Sequence, residues 1–236
     1  TYGMPASVNE ILNLAKAEGI PIIEDAAESL GAKYDGKLTG TIGDVGIYSF
    51  NNNKAITTFG GGILITRNPE TAEKARYYAS QARENLPFYE HINVGYNYLI
   101  SPLNAAMGLS QIQQLGDKNK SRCNVFKEYA DVLKGSADFQ KDSEKQISSR
   151  WLSTFLVKDS STKELIINQF NTNGIETRPL WKPMHVQPLY VNCEAFVKGV
   201  SEDYFKRGFA LPSSFHSLQH QQEVIHVLTN SLKMVT

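Results

Sequence analysis

The chain has 236 residues, of which 41% are hydrophobic and 20% are charged, and this composition is typical of a globular protein with a buried core. Lysine plus arginine and aspartate plus glutamate both total 24, so no excess of positive charge favours nucleic acid or an anionic membrane as a partner. Two cysteines, Cys123 and Cys193, are too few for a disulfide framework, and no apolar run reaches the roughly 20 residues that span a bilayer. With no signal peptide recognised, we expect a cytoplasmic protein.

The first 66 residues predict alternating helix and strand. Ser7 and Glu10 have the spacing of a capping box, apolar residues then recur at helical spacing, and Gly19 is a natural stop. The run "IPIIED" that follows predicts a strand buried on both faces, and "VGIYSF" (45–50) and "GILIT" (62–66) predict two more strands. This order indicates an α/β sheet, parallel or mixed in direction, in which functional groups gather where strands end.

Polar side chains stand at these strand ends. Glu24 and Asp25 close the first strand, and "SFNNNKAITTFGGG" (49–62) places Ser49, Lys54 and a glycine triplet after the second. Taken singly, Asp25 could be the N-cap of a helix and Lys54 a surface lysine. Taken together, they match the needs of pyridoxal phosphate: an amine for a Schiff base, a carboxylate beside the pyridine nitrogen, and hydroxyl or N–H groups for the phosphate.

The segment from Ile22 to Thr66, which holds these residues, resembles the core of the DegT/DnrJ/EryC1/StrS aminotransferases. The likeness continues in "GYNYLISPLNAAMGLSQIQQL" (95–115), "RWLSTFLV" (150–157), "GIETRPLWKPMHVQPLY" (174–190) and "LPSS" (211–214). It implies an α/β, fold-type I enzyme, with residues 1–116 forming the C-terminal portion of a mostly parallel large-domain sheet and residues 117–236 a small α+β domain. Family members carry a further segment ahead of "YGMPA", so we expect the chain to lack an N-terminal part.

The resemblance implies a role for each matching residue around the cofactor. Lys54 would form the Schiff base with pyridoxal 5'-phosphate and then move protons, and Asp25 would pair with the pyridine nitrogen, which makes both catalytic. Ser49 would bind the phosphate. Glu28 stands where the family often has Gln or His near the phenolic oxygen of the ring.

Further residues are implied to act on the partner subunit and on the substrate. Asn97 matches an asparagine that reaches the phosphate of the neighbouring subunit's cofactor, which implies a homodimer with a shared active site. Arg178 and His185 match the part of the family that approaches the sugar nucleotide. Leu99 and Ile100 stand where the family commonly has an arginine, so we assign no arginine role there.

The activity implied is transamination of a nucleotide-linked 4-keto-6-deoxy sugar with glutamate as amino donor, in bacterial glycan or glycoconjugate biosynthesis. The pattern favours UDP-linked N-acetylated sugars over dTDP-linked ones. Lys54 argues against the subgroup that uses histidine at this place for dehydration. Two alternatives remain open: a truncated, non-catalytic fragment of the fold, and a ligand-binding module like that of some transcription regulators, although the balanced charge offers no basic patch for DNA.

The second half of the sequence predicts a smaller α+β arrangement. Residues 119–135 form an amphipathic helix pattern, "RWLSTFLV" predicts a strand, and 162–174 and 220–232 predict two helices. His216 and His220 are four residues apart, but a metal site normally needs three or four ligands, so we expect a surface pair and no metal.

Overall fold

The protein is described here by a computed structural model that covers residues 1–214 and 217–234. Its elements in chain order are α1 (Val8–Glu18), β1 (Ile23–Asp25), β2 (Lys33–Tyr34), β3 (Lys37–Leu38), β4 (Val45–Ser49), β5 (Gly62–Thr66), α2 (Pro69–Ala79), α3 (Pro102–Ile112), α4 (Leu115–Val132), β6 (Ala137–Asp138), β7 (Gln146–Ile147), β8 (Ser153–Val157), α5 (Ser160–Thr172), β9 (Arg178–Pro179), α6 (Val200–Arg207), β10 (Gly208–Leu211) and α7 (Leu218–Lys233).

The chain divides into two compact units. The first holds residue 1 and residues 3–120 and 142–151, and the second holds residue 2, residues 121–141 and the chain from 152 onward. The short segment 142–151 therefore belongs to the first unit although it follows part of the second in sequence. The division of the sequence into a large domain ending at 116 and a small domain starting at 117 stays a prediction.

The first unit contains a mixed sheet with strand order β1-β4-β5. β1 runs parallel to β4, with Asp25 opposite Ile47, and β5 pairs antiparallel with β4. β4 and β5 lie where the sequence predicts them. A second, three-stranded sheet has the order β3-β2-β7 and is antiparallel throughout. The parallel pairing places the carboxyl ends of β1 and β4 at the same edge, where Asp25 and Ser49 stand.

Two details of the predicted first elements are wrong. α1 begins after Ser7 and ends at Gly19, whose φ of 66° is left-handed, as predicted, but Ser7 makes no side-chain capping bond. The Ser7 hydroxyl instead accepts from Nε2 of Gln146 at 3.3 Å, so the capping box does not form. β1 is not buried on both faces, since Ile23 is 70% exposed. An apolar run shows that a strand can be covered, but it does not show which part of a chain covers it.

The second unit packs helices on an antiparallel sheet with strand order β6-β8-β10-β9. Its core is aromatic: the rings of Phe126 and Phe155 stack at 5.5 Å, and Tyr129 meets Phe155 edge-on at 6.2 Å. Ile166 and Leu228, from α5 and α7, are fully buried in the same cluster. The helices predicted over 119–135, 162–174 and 220–232 and the strand in 150–157 are thereby confirmed, with small shifts at their ends.

Within residues 1–214 and 217–234, none of the helices combines the length and the apolar character that a membrane crossing needs.

Candidate functional site

Lys54 lies in a closed loop between β4 and β5. At the neck of the loop, the Phe50 N–H donates to the Gly61 carbonyl at 3.0 Å and the Phe50 carbonyl accepts from the Thr58 N–H at 2.9 Å. The Asn51 carbonyl accepts from the Lys54 N–H at 3.0 Å, so the asparagine run forms a turn that ends at the lysine. The loop therefore fixes the backbone of Lys54 at the carboxyl end of β4.

The glycines that follow serve this neck in two ways. Gly61 has a φ of 85°, a left-handed conformation that costs little only without a side chain. A Cβ at Gly62 would lie 2.5 Å from the Tyr48 carbonyl oxygen, so β5 could not approach β4 with a larger residue there. Gly61 thus supplies the positive φ, and Gly62 permits the close approach of the two strands.

Side chains from α3 hold the far side of the loop. The Gln111 amide bonds to both backbone groups of Thr57: Nε2 donates to the Thr57 carbonyl at 2.7 Å, and Oε1 accepts from the Thr57 N–H at 3.3 Å. Oε1 also accepts from the Lys118 ammonium at 3.0 Å. Asn104 adds a bond from its Nδ2 to the Thr58 carbonyl at 2.7 Å. These bonds make the loop a supported element of the site.

The Lys54 amine lies in a small cavity beside an indole ring. Its Nζ is 4.0 Å from the ring centroid of Trp151, and Glu28, Ser49 and Ser149 line the same cavity. Burial lowers the pKa of Lys54 below its usual value, against the opposing attraction of the Glu28 and Asp25 carboxylates. A larger fraction of this amine is therefore neutral at a given pH than for an exposed lysine.

Asp25 stands exposed at the end of β1. Its Oδ1 accepts from the Ala27 N–H at 3.1 Å, and the chain continues as turns up to β2 at Lys33. The alternative that Asp25 caps a helix is wrong, because the next helix in the described chain is α2. On the neighbouring strand, the Ser49 hydroxyl accepts from the Asn51 N–H at 3.3 Å.

Glu24, one residue earlier, has a different environment. Its carboxylate accepts three backbone N–H groups of one turn, from Gly40 at 2.8 Å and from Ile42 and Gly43 at 2.6 Å each. These bonds occupy both oxygens and hold the turn before β4. Of the two acids that close β1, Glu24 therefore has a structural role, whereas Asp25 accepts a bond at Oδ1 alone among the described residues.

The remaining predicted site residues lie outside this cavity lining. Asn97 is exposed and forms an isolated antiparallel bridge with Ser80 in the first unit. Arg178 and His185 belong to the second unit. Arg178 pairs with Glu176 at 2.5 Å on the surface, and His185 Nε2 lies 2.7 Å from a Glu202 carboxylate oxygen. Glu28, Ser49 and Lys54 line one cavity, Asp25 acts on Lys54 through its charge, and Asn97 is not among the lining residues.

Three residues of the site were missed by the sequence reasoning. Trp151 lies in "RWLSTFLV" (150–157), which the sequence predicts as a strand, Ser149 directly precedes that run, and Gln111 comes from α3. The tryptophan directly after the polar run Ser148–Arg150 is a signal that could have indicated site residues in this segment. Ser149 as a whole residue is 3% exposed, and its buried hydroxyl has no hydrogen-bond partner within the described chain.

In the part of the chain that the structure describes, no three His, Cys, Asp or Glu side chains come close enough to hold a metal ion. The histidine pair considered from the sequence includes His216, which lies outside the described residues.

Comparison with known proteins identifies a family for this chain. The sequence model of the DegT/DnrJ/EryC1/StrS aminotransferase family matches residues 1–229. The chain belongs to this family. Its α/β, fold-type I architecture agrees with the structure of the aminotransferase TlmJ from Streptoalloteichus hindustanus, which covers 100% of this chain with 65% of its own, at a TM-score of 0.90 and 25% identity.

Two curated relatives show how far this family member is matched. The first, from Bacillus subtilis, is named "Putative pyridoxal phosphate-dependent aminotransferase EpsN" and is 42% identical over 235 residues, which are 96% of this chain and 60% of the relative. The second is a GDP-perosamine synthase of Escherichia coli O157:H7, 33% identical over 224 residues, which are 94% of this chain and 61% of the relative. The chain thus spans about 60% of the length of these relatives.

Proposed function

We propose that the protein is a pyridoxal phosphate-dependent aminotransferase that transfers an amino group from glutamate to a nucleotide-linked 4-keto-6-deoxy sugar. One observation carries the proposal. In a chain of this family, the half-buried Lys54 amine, with its lowered pKa, shares a cavity with Ser49 and Glu28 and interacts with the Asp25 carboxylate. A desolvated amine held beside acidic groups suits a lysine that acts as nucleophile and as proton carrier.

The residues present fit pyridoxal phosphate. The cavity beside Lys54 contains a buried Ser149 hydroxyl that has no partner within the described residues, and a buried polar group of this kind calls for a ligand or a water. Asp25 offers an exposed carboxylate at the strand end, and Ser49 offers a hydroxyl on the neighbouring strand. Amine, carboxylate and hydroxyl are the three kinds of group that the cofactor needs.

Each residue would then have a distinct task. When bound, the cofactor would act as the electron sink that makes proton removal from the donor amino acid feasible. Lys54 would hold the cofactor covalently and, once released, accept and return that proton at its Nζ. Asp25 would keep the pyridine nitrogen protonated, Ser49 would hold the phosphate, and Glu28 would face the phenolic oxygen.

The substrate assignment follows the names of relatives. A GDP-perosamine synthase is among them, so a nucleotide-linked amino sugar is a supported product class for this chain as well. The sequence pattern favours a UDP-linked N-acetylated sugar over a dTDP-linked one, and the name of the relative adds GDP-linked sugars to the candidates. We place Arg178 and His185 at the sugar nucleotide, with Glu202 holding the His185 ring.

The proposal also includes the assembly. We propose a cytoplasmic homodimer in which Asn97, exposed in the single chain, reaches the cofactor phosphate of the second subunit. The domain boundary near residue 116 belongs to the same proposal.

Cofactor attachment and turnover test the function separately. The purified protein, incubated with pyridoxal phosphate and treated with borohydride, should carry the reduced cofactor on the peptide that contains Lys54. The Lys54→Ala variant should lose this adduct, whereas Lys16→Ala, which removes an exposed lysine of α1, should keep it.

The second arm is an amination assay with glutamate and a panel of UDP-, GDP- and dTDP-linked 4-keto sugars. We expect turnover of one class at least, followed by mass spectrometry of the amino sugar. A protein that binds no cofactor would refute the enzymatic proposal, and one that binds it without aminating any sugar of the panel would refute the substrate class.

A further inference from the structure

We propose that Trp151 is a positioning residue for Lys54, whose indole face holds the free, protonated amine whenever that amine is not bonded to the cofactor. The inference deepens the proposed function and rests on it, because it concerns the same lysine. Its starting point is the distance of 4.0 Å between the Lys54 Nζ and the centroid of the Trp151 ring. A cation at this distance from an indole face is attracted by the electron density of the ring, and tryptophan is the strongest partner for such a contact.

The indole is tied to the loop that carries the lysine. Its Nε1 donates to the carbonyl of Asn53 at 2.9 Å, and Asn53 directly precedes Lys54 in sequence. The ring therefore contacts the lysine through its face and the adjacent backbone through its edge. Trp151 is only 4% exposed, so the contact is shielded from water, which strengthens it.

The backbone before Trp151 is also held in place. Arg150 has a φ of 50°, a left-handed conformation that a residue with a side chain adopts only where its surroundings maintain it. Two bonds maintain it here: the Arg150 N–H donates to the Ser148 hydroxyl at 3.0 Å, and the guanidinium donates to Asp142 at 2.9 Å. These bonds fix the backbone that places the Trp151 ring against Lys54, and both residues belong to the first unit.

The contact with Trp151 gives the protonated Lys54 amine a partner that cannot take its proton. The carboxylates of Glu28 and Asp25 attract the protonated amine, and a carboxylate that paired with it could also accept its proton. A neutral ring face stabilises the charged amine without accepting its proton. The amine can thus rest on Trp151 and leave it again without a competing proton transfer.

The test compares two variants that lose the same indole N–H and differ in the ring. Trp151→Phe keeps an aromatic face, and Trp151→Leu has none. In the cofactor-free protein, the acylation rate of Lys54 at pH 8 is measured by peptide mass spectrometry with a limiting reagent. Because loss of the ring disfavours the protonated amine, its pKa falls, and we expect Lys54 to react about two to ten times faster in the Leu variant than in the Phe variant. Equal rates in the two variants would overturn the proposal.

The matched control is the same pair of changes at Trp181, the other tryptophan of the sequence, whose ring centroid lies 5.7 Å from that of Tyr2 in the second unit. Trp181→Phe and Trp181→Leu should leave the Lys54 rate equal to that of the parent. Since a tryptophan that is nearly buried is replaced, a second measurement leaves Trp151 intact: its fluorescence in the Trp181→Phe background is titrated from pH 7 to 11, with and without Lys54→Met. We expect an emission change that Lys54→Met removes, and identical titrations would also overturn the contact.

These measurements need no cofactor, so they separate the two proposals. If Lys54 fails to bond pyridoxal phosphate but responds to the ring, the proposed function fails and the contact stands. If the cofactor attaches normally and the Phe and Leu variants react alike, the function stands and the role of Trp151 fails.

Discussion

The bond pair between Gln111 and Thr57 gives the sharpest test of how the Lys54 loop is supported. Gln111→Ala removes one bond to the Thr57 carbonyl and one from the Thr57 N–H, at 2.7 and 3.3 Å. A net contribution of about 0.5–1.5 kcal/mol for each bond gives a loss of about 1–3 kcal/mol in the free energy of unfolding. At about 2–4 °C for each kcal/mol in a chain of this size, the melting temperature should fall by about 2–12 °C.

The assay is thermal unfolding by circular dichroism, together with the fraction of protein that takes up pyridoxal phosphate. Gln113→Ala is the matched control, because Gln113 ends the same helix and is exposed. Gln111→Glu keeps the acceptor for the Thr57 N–H and loses the donor, so its cofactor uptake should also fall. If Gln111→Ala and Gln113→Ala melt at the same temperature, the loop is not held by this amide, and the reasoning about its support is wrong.

Four further predictions follow from single contacts. Glu24→Ala should lower the melting temperature more than Gln111→Ala does, since about 1.5–3 kcal/mol is typical of a bond to a charged group and this carboxylate accepts three N–H groups of one turn. Ser149→Ala should change the melting temperature little, because the hydroxyl has no partner in the described chain, and should weaken cofactor retention, measured by dialysis. The rate of cofactor attachment to Lys54 should rise with pH and level off at a lower pH than for an exposed lysine, because burial lowers the Lys54 pKa and only the neutral amine reacts; a matching midpoint for both would contradict this. Glu202→Gln should raise KM for the sugar nucleotide, because it weakens the bond that holds His185 and that lowers the Glu202 pKa. The cofactor spectrum should stay unchanged, since neither residue belongs to the Lys54 loop, and an altered spectrum would count against this.

The elements that the sequence predicts well are those whose signal is local. β4 and β5 are short apolar runs bounded by glycine and polar residues, and the structure places them there. α5 and α7 follow from helical spacing. α2 was not predicted, although Asn68 followed by Pro69 is a capping residue followed by a favoured first helical residue. The burial of β1 was wrong because burial depends on neighbours that no local pattern names.

The site divides in the same way. Asp25, Ser49 and Lys54 stand at or shortly after the ends of two short apolar runs, so the local pattern could bring them forward as candidates. Trp151 bonds to a residue 98 positions away and Gln111 to one 54 positions away. A pairing over such a distance is set by the topology and leaves no pattern in either segment. Residue types can therefore predict which chemistry is available, whereas the residues that hold Lys54 and its loop can be identified only from the fold.

The neighbouring acids Glu24 and Asp25 show how a short strand separates two tasks. Successive side chains of a strand point to opposite faces, so the pleat sends these two carboxylates to different surroundings. Glu24 is half-buried and meets the turn at 40–43, where three N–H groups hold it, and Asp25 is exposed at the edge that it shares with Ser49. A shift of one residue in the pairing of β1 with β4 would exchange the two faces. The turn held by Glu24 therefore fixes the register that keeps Asp25 at the Lys54 edge, and loss of Glu24 should reduce cofactor binding as well as stability.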